Sequence, residues 1–290
     1  MKPAIIFGTI GMLGSDLVSA WKRRRADEPD ALPPPVEVAD WDVVDITDES
    51  AVHAFIDEHQ PRLVVNCAAY TDVDGCTRDP ALAMRVNGHA PGYIAAACAR
   101  VGASMVHVST DFVFDGRSDR PYVEDDPVGP TSPYGESKLA GERAVQTHLP
   151  DACIVRTAWL YGACGKNFVA TMLRLGGQRD QLRVVTDQVG SPTYTVDLAD
   201  AIVHLIRARA VGVIHVVNAG QCSWHELACR ALELAGLTTP VLPITAAEFA
   251  SPTERPAYSV LSTARYTDLT GQAMRPWEDA LRDFVAGAVA

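Results

Sequence analysis

Short apolar runs alternate with amphipathic stretches along the first half of the chain. The apolar runs, each four to six residues long, predict buried parallel strands at 4–7, 36–39, 62–66, 104–109 and 153–156. Helical patterns lie between them at 11–26, 48–59, 79–101 and 133–148, and a polar loop spans 115–131. Strands that alternate with helices in this order predict an α/β fold built on a doubly wound, Rossmann-like parallel sheet.

The alternation becomes less regular after residue 156. Segments 157–195 and 219–275 contain many Gly, Pro and Thr, whereas 196–218 has the pattern of one more helix and strand. Ligands of doubly wound sheets bind at the carboxyl ends of the strands. We therefore expect a dinucleotide-binding domain over 1–156, to which 196–218 returns, and a smaller C-terminal substrate lobe over 157–195 and 219–290.

The turn after the first predicted strand contains three glycines, Gly8, Gly11 and Gly14. Glycine permits a tight turn, a close approach of the backbone to a pyrophosphate, and close packing of helix on strand. The spacing is G-x-x-G-x-x-G rather than G-x-G-x-x-G, so the position directly after the strand supports the interpretation more than the spacing does. The turn predicts a dinucleotide site.

Three further segments have side chains suited to the same cofactor. Asp40 ends the second strand, where a carboxylate can accept hydrogen bonds from a ribose; Trp41 follows instead of Arg or Lys, which favours NADH. Asp45 and Ile46 are predicted to flank the adenine. Small residues at the end of the third strand, 66–70, would let a cofactor lie against the backbone. The alternatives are a surface aspartate at Asp40 and simple tight packing at 66–70.

Tyr134 and Lys138 lie four residues apart and therefore share one face of the predicted helix 133–148. When a carbonyl is reduced, its oxygen must be protonated, and a phenol whose pKa is lowered by a nearby ammonium can supply the proton. Thr110, at the carboxyl end of the fourth strand, can hold that oxygen. Thr110, Tyr134 and Lys138 together predict a nicotinamide-dependent carbonyl reductase, although Tyr-x-x-x-Lys alone would favour a helix-surface pair.

Composition excludes several other classes of function. The net charge is −11 without a long basic run, which argues against a nucleic-acid partner. No apolar run reaches the length of a membrane span. The seven cysteines form no Cys-x-x-Cys pair, which predicts reduced thiols in the cytoplasm. The eight histidines show no metal-ligand spacing, so we expect no catalytic metal.

The motifs resemble those of the extended short-chain dehydrogenase/reductases, and within them the dTDP-4-dehydrorhamnose reductases, nearly from end to end. The similar segments are 66–71, 108–116, 133–142, 156–162, 187–193, and Arg255-Pro256 followed by Ser259. This resemblance implies reduction of the 4-keto group of dTDP-4-dehydro-L-rhamnose to dTDP-L-rhamnose with NADPH or NADH. It also implies a possible homodimer, with Mg²⁺ possible at its interface.

The resemblance also implies roles for single residues. Tyr134 would be the acid, Lys138 its partner, and Thr110 the group that orients the substrate. The cofactor would contact Tyr134, Lys138, Met12, Leu13, Asp45, Ile46, Ala68, Ala69 and Tyr70. The sugar end would contact Thr110, Asp111 and Trp159, with a core tryptophan as the alternative for Trp159, and position suggests Arg255 and Lys166 for the diphosphate. Cys67 stands where the family has Ala, and Gly75-Cys76-Thr77 where it tends to have Lys-Ala-Glu.

Three alternatives to a rhamnose-forming reductase stay open at the level of sequence. The same residues would serve a reductase of another dTDP-4-keto-6-deoxysugar. A nucleotide-sugar epimerase of the same superfamily would retain bound NAD⁺ through each cycle. A non-catalytic regulatory subunit, as in a branch associated with methionine adenosyltransferase, is disfavoured because Thr110, Tyr134 and Lys138 are all present.

Overall fold

The structure, a computed structural model, describes residues 2–28, 32–38 and 43–289. The strands in this part of the chain are β1 (Ala4–Phe7), β2 (Pro35–Val38), β3 (Leu63–Asn66), β4 (Ser104–Thr110), β5 (Cys153–Thr157), β6 (Leu160–Tyr161), β7 (Leu182–Val185), β8 (Val189–Gly190), β9 (Thr193–Tyr194), β10 (Gly212–His215), β11 (Cys222–Ser223) and β12 (Val241–Ile244). The α-helices are α1 (Met12–Asp27), α2 (Glu49–His59), α3 (Val73–Arg78), α4 (Pro80–Ala83), α5 (Ala90–Val101), α6 (Pro133–His148), α7 (Phe168–Gly176), α8 (Thr195–Arg207), α9 (Trp224–Leu234), α10 (Ala246–Phe249), α11 (Ala264–Thr270) and α12 (Trp277–Val289). A π-helix, Met84–His89, joins α4 to α5.

A parallel sheet forms the centre of the fold, with the strand order β2-β1-β3-β4-β5-β10. In its register, Ile5 of β1 pairs with Val64 of β3, and Val108 of β4 pairs with Val155 of β5. The chain moves from β1 to β2 on one side and then places β3 on the other side of β1. This reversal makes the carboxyl ends of β1 and β3 a topological switch point, where doubly wound sheets bind ligands. The predicted fold class is confirmed.

Helices cover both faces of the sheet because successive strand residues point to opposite faces. Ile6 and Val65 pack with Trp21 of α1 and Ile202 of α8 on one face. On the other face, the neighbouring strand residue Ile5 packs with side chains of α2, α5 and α6, which include Ile56, Ile94 and Val145. These two fully buried layers fix the helices relative to the strand ends.

The elements of the first half agree with the predicted ones to within one or two residues, apart from two differences around the predicted helix 79–101. The predicted helix 79–101 contains a π-helical turn at Met84–His89, and a short helix, α3, precedes it. The second strand begins one residue early, at Pro35, and residues 39–42 lie outside the described part of the chain. π-Helical turns recur at functional sites, and this one places Asn87 beside the cleft described below.

The later elements build a second apolar core beyond the sheet. Tyr161, Val169, Leu227, Trp277 and Phe284 belong to one cluster formed by β6, α7, α9 and α12. A backbone bridge from 122 to 261 ties the later part of the chain to the loop after β4, and a second bridge, from 189 to 258, joins two of the later segments to each other. Within the described residues, no helix combines the length and the apolar character needed to cross a membrane.

Candidate active site

A cleft of about 360 Å³ opens at the switch point between β1 and β3. Its walls come from the ends of these two strands, the segment before α2, and the helical turn after α3. The predicted cofactor residues that line it are Gly8, Gly11, Asp45, Ile46, Ala68, Ala69 and Tyr70. The structure therefore brings most of the predicted cofactor residues to one concave surface.

The glycine turn at the floor of this cleft depends on missing side chains. Gly8 has a φ of +79°, and a Cβ there would lie 2.8 Å from the backbone N of Ala68. A Cβ on Gly14 would lie only 2.1 Å from the carbonyl oxygen of Gly8. The two glycines therefore let α1 and the end of β3 both pack against the same turn.

The N-terminus of α1 faces the cleft without a competing anion. Its N-cap, Gly11, has no side chain to cap the helix, and the first turn contains no acidic residue. The first backbone N–H groups of a helix lack partners within the helix and carry partial positive charge. A pyrophosphate therefore fits this end of α1 in charge and in hydrogen bonding.

Met12 and Leu13, at the start of α1, are not among the residues that line this cleft. The Leu13 side chain is 6% exposed and packs in the core, so a contact with the cofactor would come from its backbone N–H. The Met12 side chain lies beside Gly162, whose added Cβ would be 3.0 Å from Met12 Cγ. Asp40 and its neighbour Trp41 lie outside the described residues.

The predicted catalytic residues meet at the carboxyl end of β4. Ser132 caps α6 by accepting a hydrogen bond from the N–H of Gly135 at 3.2 Å. This start places the Tyr134 hydroxyl beside that of Thr110. Lys138, one turn later, donates from Nζ to the carbonyl oxygen of Val108 at 2.7 Å. A phenol, an alcohol and an amine thus converge beside the cleft.

Burial controls the protonation of this group. Burial raises the pKa of Tyr134 above its ordinary value, and the neighbouring Thr110 hydroxyl opposes that rise. Burial also lowers the pKa of Lys138 to about 8, and the Glu142 carboxylate opposes this change. We expected Lys138 to lower the pKa of Tyr134, but in the structure the effect of burial is larger. The phenol therefore holds its proton firmly at neutral pH.

Asp111 follows Thr110 and is 1% exposed. Its Oδ1 accepts a hydrogen bond from Thr110 Oγ1 at 3.0 Å, whereas its Oδ2 has no partner among the described residues. Burial raises the pKa of Asp111 to about 6, and the neighbouring hydroxyls of Ser259 and Thr110 oppose the rise. A buried carboxylate with a spare acceptor beside the catalytic residues suits a hydroxyl-bearing ligand.

We expect Asp111→Asn to change the pH dependence of stability. A pKa of about 6 exceeds the unfolded value, so the protonated carboxyl of Asp111 favours the folded state. This stabilisation is fully present below pH ~3.9 and is lost as the pH rises through 6. From pH 4 to pH 8, the unfolding free energy of wild type should fall by about 2–3 kcal/mol relative to that of the variant, whose Asn side chain does not titrate. Urea unfolding across this range measures the difference. Asp180→Asn, at an exposed site, is the control, and equal pH profiles for all three proteins would refute the expectation.

Trp159 has a packing role in the structure. Its indole stacks on that of Trp224, with centroids 3.5 Å apart and planes 6° from parallel. A Cβ on Gly190 would lie 2.4 Å from Trp159 Cε2, so the backbone at Gly190 also touches the indole. The residue holds this position with a left-handed φ of +49°. Trp224 therefore covers one face of the Trp159 indole, while the residue as a whole is only partly buried.

Arg255 lies at the rim of the site and is already paired. Its Nη2 is 3.3 Å from Asp74 Oδ1 on α3. Thr253, two residues earlier, shares a 2.7 Å hydrogen bond with Thr77 of the same helix. Lys166, also suggested for a diphosphate, lies in an exposed loop before α7. The structure therefore brings Arg255, but not Lys166, onto α3 beside the catalytic residues.

The segment 75–77, which departs from the family pattern, has specific contacts in this chain. A Cβ on Gly75 would lie 2.1 Å from the Tyr70 hydroxyl. The Cys76 side chain is fully buried and packs in one cluster with Tyr134. Burial raises the pKa of the Cys76 thiol to about 11, so it packs as a neutral group. Together with Thr77, these residues seat α3 between the cofactor cleft and the segment before Arg255.

Sequence reasoning missed Asn87, which connects the cleft to the catalytic helix. Its Oδ1 accepts from the N–H of Tyr70 at 2.8 Å, and its Nδ2 donates to the Tyr70 carbonyl at 2.9 Å and to Ser137 Oγ at 3.2 Å. Ser137 in turn donates to the carbonyl of Tyr134 at 2.8 Å. An asparagine within an apolar, Ala-rich helical pattern was the signal available in the sequence.

The fold and this site define the class of Rossmann-fold, nicotinamide-dependent oxidoreductases. The chain belongs to the family described as the RmlD substrate binding domain, whose sequence model matches residues 1–289. A dTDP-4-dehydrorhamnose reductase of Streptomyces griseus is 44% identical over 286 residues, which cover 96% of this chain and 91% of that protein. The resemblance inferred from the motifs is confirmed.

Two further proteins help to delimit the function. The structure of a dTDP-4-dehydrorhamnose reductase from Bacillus anthracis, solved in complex with NADP, is 38% identical, with a TM-score of 0.92 and 99% coverage of both chains. A probable dTDP-4,6-dihydroxy-2-methyloxan-3-one 4-ketoreductase of Streptomyces antibioticus is 43% identical, covering 96% of this chain and 93% of that protein. The similarity therefore extends to proteins named for different deoxysugars.

Proposed function

We propose that this protein reduces the 4-keto group of dTDP-4-dehydro-L-rhamnose to give dTDP-L-rhamnose. The observation that carries the proposal is the meeting of Thr110, Tyr134 and Lys138 at the end of β4, beside a cleft suited to a dinucleotide. Membership of the RmlD family and the name of the Streptomyces griseus relative support this particular sugar.

The chemistry supplied by a bound nicotinamide would be hydride transfer to the carbonyl carbon. The paired hydroxyls of Thr110 and Tyr134 would bind the carbonyl oxygen from two sides. Tyr134 would then donate its proton to that oxygen as negative charge develops there. The Lys138 ammonium would stabilise the phenolate left on Tyr134, and Asp111 would accept a hydrogen bond from a sugar hydroxyl.

The finer parts of the proposal concern cofactor and assembly. We propose that NADPH or NADH serves, since a Bacillus anthracis relative was solved with NADP, while the Asp40-Trp41 pair favours NADH. We also propose a cytoplasmic homodimer. The described residues contain no group of three or more His, Cys, Asp or Glu placed to hold a metal, and we assign no ligands to an interfacial Mg²⁺.

We further propose a division of labour along the chain. Residues 1–156 with 196–218 would hold the cofactor, because the cleft at the switch point is lined from β1 and β3. Residues 157–195 and 219–290 would hold the sugar nucleotide. The contacts of Thr253 with Thr77 and of Arg255 with Asp74 support this arrangement, since they bring the later segment against the catalytic region. Trp159 would then meet the sugar with the part of its ring that Trp224 leaves uncovered.

A coupled assay tests the reaction. The 4-keto-L-sugar is generated in situ from dTDP-glucose with the upstream dehydratase and epimerase, and NADPH or NADH consumption is followed at about 340 nm, the reduced nicotinamide band. We expect oxidation that requires the 4-keto sugar, with dTDP-L-rhamnose as the product. dTDP-glucose alone is the control.

The same assay separates the alternatives. A second arm supplies other dTDP-4-keto-6-deoxysugars, and faster turnover there would move the assignment to a different deoxysugar, as the Streptomyces antibioticus relative suggests. Purified protein that retains stoichiometric NAD⁺ and consumes no reduced cofactor would indicate an epimerase. No turnover with any sugar or either cofactor would refute the proposed function.

A further inference from the structure

A buried carboxylate lies one helical turn beyond Lys138. Glu142 follows Lys138 by four residues on α6, so the two side chains share one face of the helix. Each residue is 2% exposed. Carboxylates are almost never buried this deeply unless they are paired, and the proton transfer from Tyr134 does not itself use Glu142.

Two neighbouring strands hold this carboxylate. Arg156 of β5 donates from Nε to Glu142 Oε1 at 2.9 Å and from Nη2 to Oε2 at 2.7 Å. Ser109 of β4 donates from Oγ to Oε1 at 2.5 Å. Ser109 and Arg156 face each other in the sheet register, and the preceding residue of β4, Val108, accepts the hydrogen bond from Lys138. These three hydrogen bonds satisfy the Glu142 carboxylate and fix it against the strand ends.

The Glu142 carboxylate affects the protonation of Lys138, because the other surroundings of Lys138 disfavour a charge. Desolvation lowers the pKa of its ammonium to about 8, and the Glu142 carboxylate is the first group to oppose that change. Burial keeps the facing thiols and the imidazole neutral, and it keeps the phenol protonated; these groups are Cys67, Cys76, His107 and Tyr134. Glu142 is therefore the main source of negative charge that favours the ammonium in this pocket.

We propose that Glu142 is a positioning residue that keeps Lys138 in its ammonium form against the end of β4. Its relevance to turnover rests on the proposed function, but its effect on the charge of Lys138 does not. Arg156 and Ser109 act one step further out, since they hold the Glu142 carboxylate in place.

The charge of Lys138 can be measured directly. The chain has four lysines, Lys2, Lys22, Lys138 and Lys166, so ¹³C-labelled lysine gives few Cε resonances, which Lys→Arg variants assign. We expect Glu142→Gln to lower the pKa of Lys138 by about one unit or more. Glu136→Gln, an exposed glutamate on the same helix, should leave it unchanged. An unchanged Lys138 pKa in Glu142→Gln would overturn the proposal.

Loss of Glu142 leaves the buried Arg156 guanidinium without its carboxylate partner, so the single variant is expected to lose stability for that reason alone. The double variant with Glu142→Gln and Arg156→Gln removes both charges. Arg156 does not contribute to the shift at Lys138, so the double variant should also lower the pKa of Lys138. An unchanged pKa in the folded double variant would equally overturn the proposal.

Turnover provides an independent readout. A fall of one unit in the pKa of Lys138 would reduce its ammonium fraction at pH 8 about fivefold, and kcat by a similar factor. The activity lost by Glu142→Gln should return at pH 6, with KM unchanged. Loss at every pH would indicate a merely structural role. An inactive wild type with the expected NMR shift would refute the proposed function but not the role of Glu142.

Discussion

Replacing Tyr134 with Phe is expected to lower kcat by about 10²–10⁴-fold while leaving the affinity for reduced cofactor within about twofold of wild type. The change removes the buried hydroxyl beside Thr110, and with it the proposed proton donor to the carbonyl oxygen. The ring would stay in place, because its edge-to-face contact with Phe112, with centroids 5.3 Å apart, does not involve the hydroxyl. Steady-state turnover in the coupled assay and cofactor fluorescence titration measure the two quantities.

Tyr93→Phe is the matched control for this experiment. Tyr93 is a partly buried tyrosine of α5 that packs against the core on the same side of the sheet. The substitution deletes the same atom without touching Thr110 or Lys138, so turnover should stay within about twofold of wild type. If Tyr134→Phe kept more than about a tenth of wild-type kcat, the proton would come from another group, and the assignment of the acid would be wrong.

The sheet was predictable because its signals are local. Each strand of 4–7, 62–66 and 153–156 is a short apolar run, and these runs end where the structure ends β1, β3 and β5, to within a residue. Helix α6 begins at Ser132-Pro133, a cap and a proline whose effects on the backbone act within a few residues. Because Tyr134 and Lys138 are four residues apart on that helix, their shared face also followed from the sequence.

Other features of the site depend on contacts between distant segments. The stack of Trp159 on Trp224 and the pair of Arg255 with Asp74 join residues far apart in the chain, and no periodicity encodes them. Asn87, in the π-helical turn, hydrogen-bonds the backbone of Tyr70, which lies 17 residues earlier in the chain. Segments after residue 156 mix short strands with helices, so their pattern was less regular than that of the sheet.

The electrostatics of the site also required the structure. Spacing alone suggested that Lys138 would lower the pKa of Tyr134, because an ammonium favours a phenolate. The structure shows both groups buried, and burial opposes the charged form of each. The relevant balance is therefore between desolvation and the few polar groups that remain, Thr110 for the phenol and Glu142 for the ammonium.

Gly14→Ala is expected to weaken cofactor binding about tenfold or more, which corresponds to at least about 1.4 kcal/mol. Helix propensity alone would predict that Gly14→Ala stabilises the protein, since Ala is favoured over Gly by about 1 kcal/mol within a helix. Here the added Cβ would lie 2.1 Å from the carbonyl oxygen of Gly8, and 2.8 Å from its carbonyl carbon, which are backbone atoms that cannot turn away. The N-terminus of α1 would have to move off the turn that faces the pyrophosphate, at a cost of about 1–3 kcal/mol.

Gly287→Ala separates the steric effect from the propensity effect. Gly287 lies in α12, and nothing approaches its added Cβ within 4 Å. This control should therefore raise or maintain the thermal midpoint, while Gly14→Ala lowers it and also raises the Kd for NADPH and NADH. If Gly14→Ala were as stable as Gly287→Ala and bound cofactor normally, α1 could shift without cost. The close packing of helix on strand would then not determine the shape of the cofactor site.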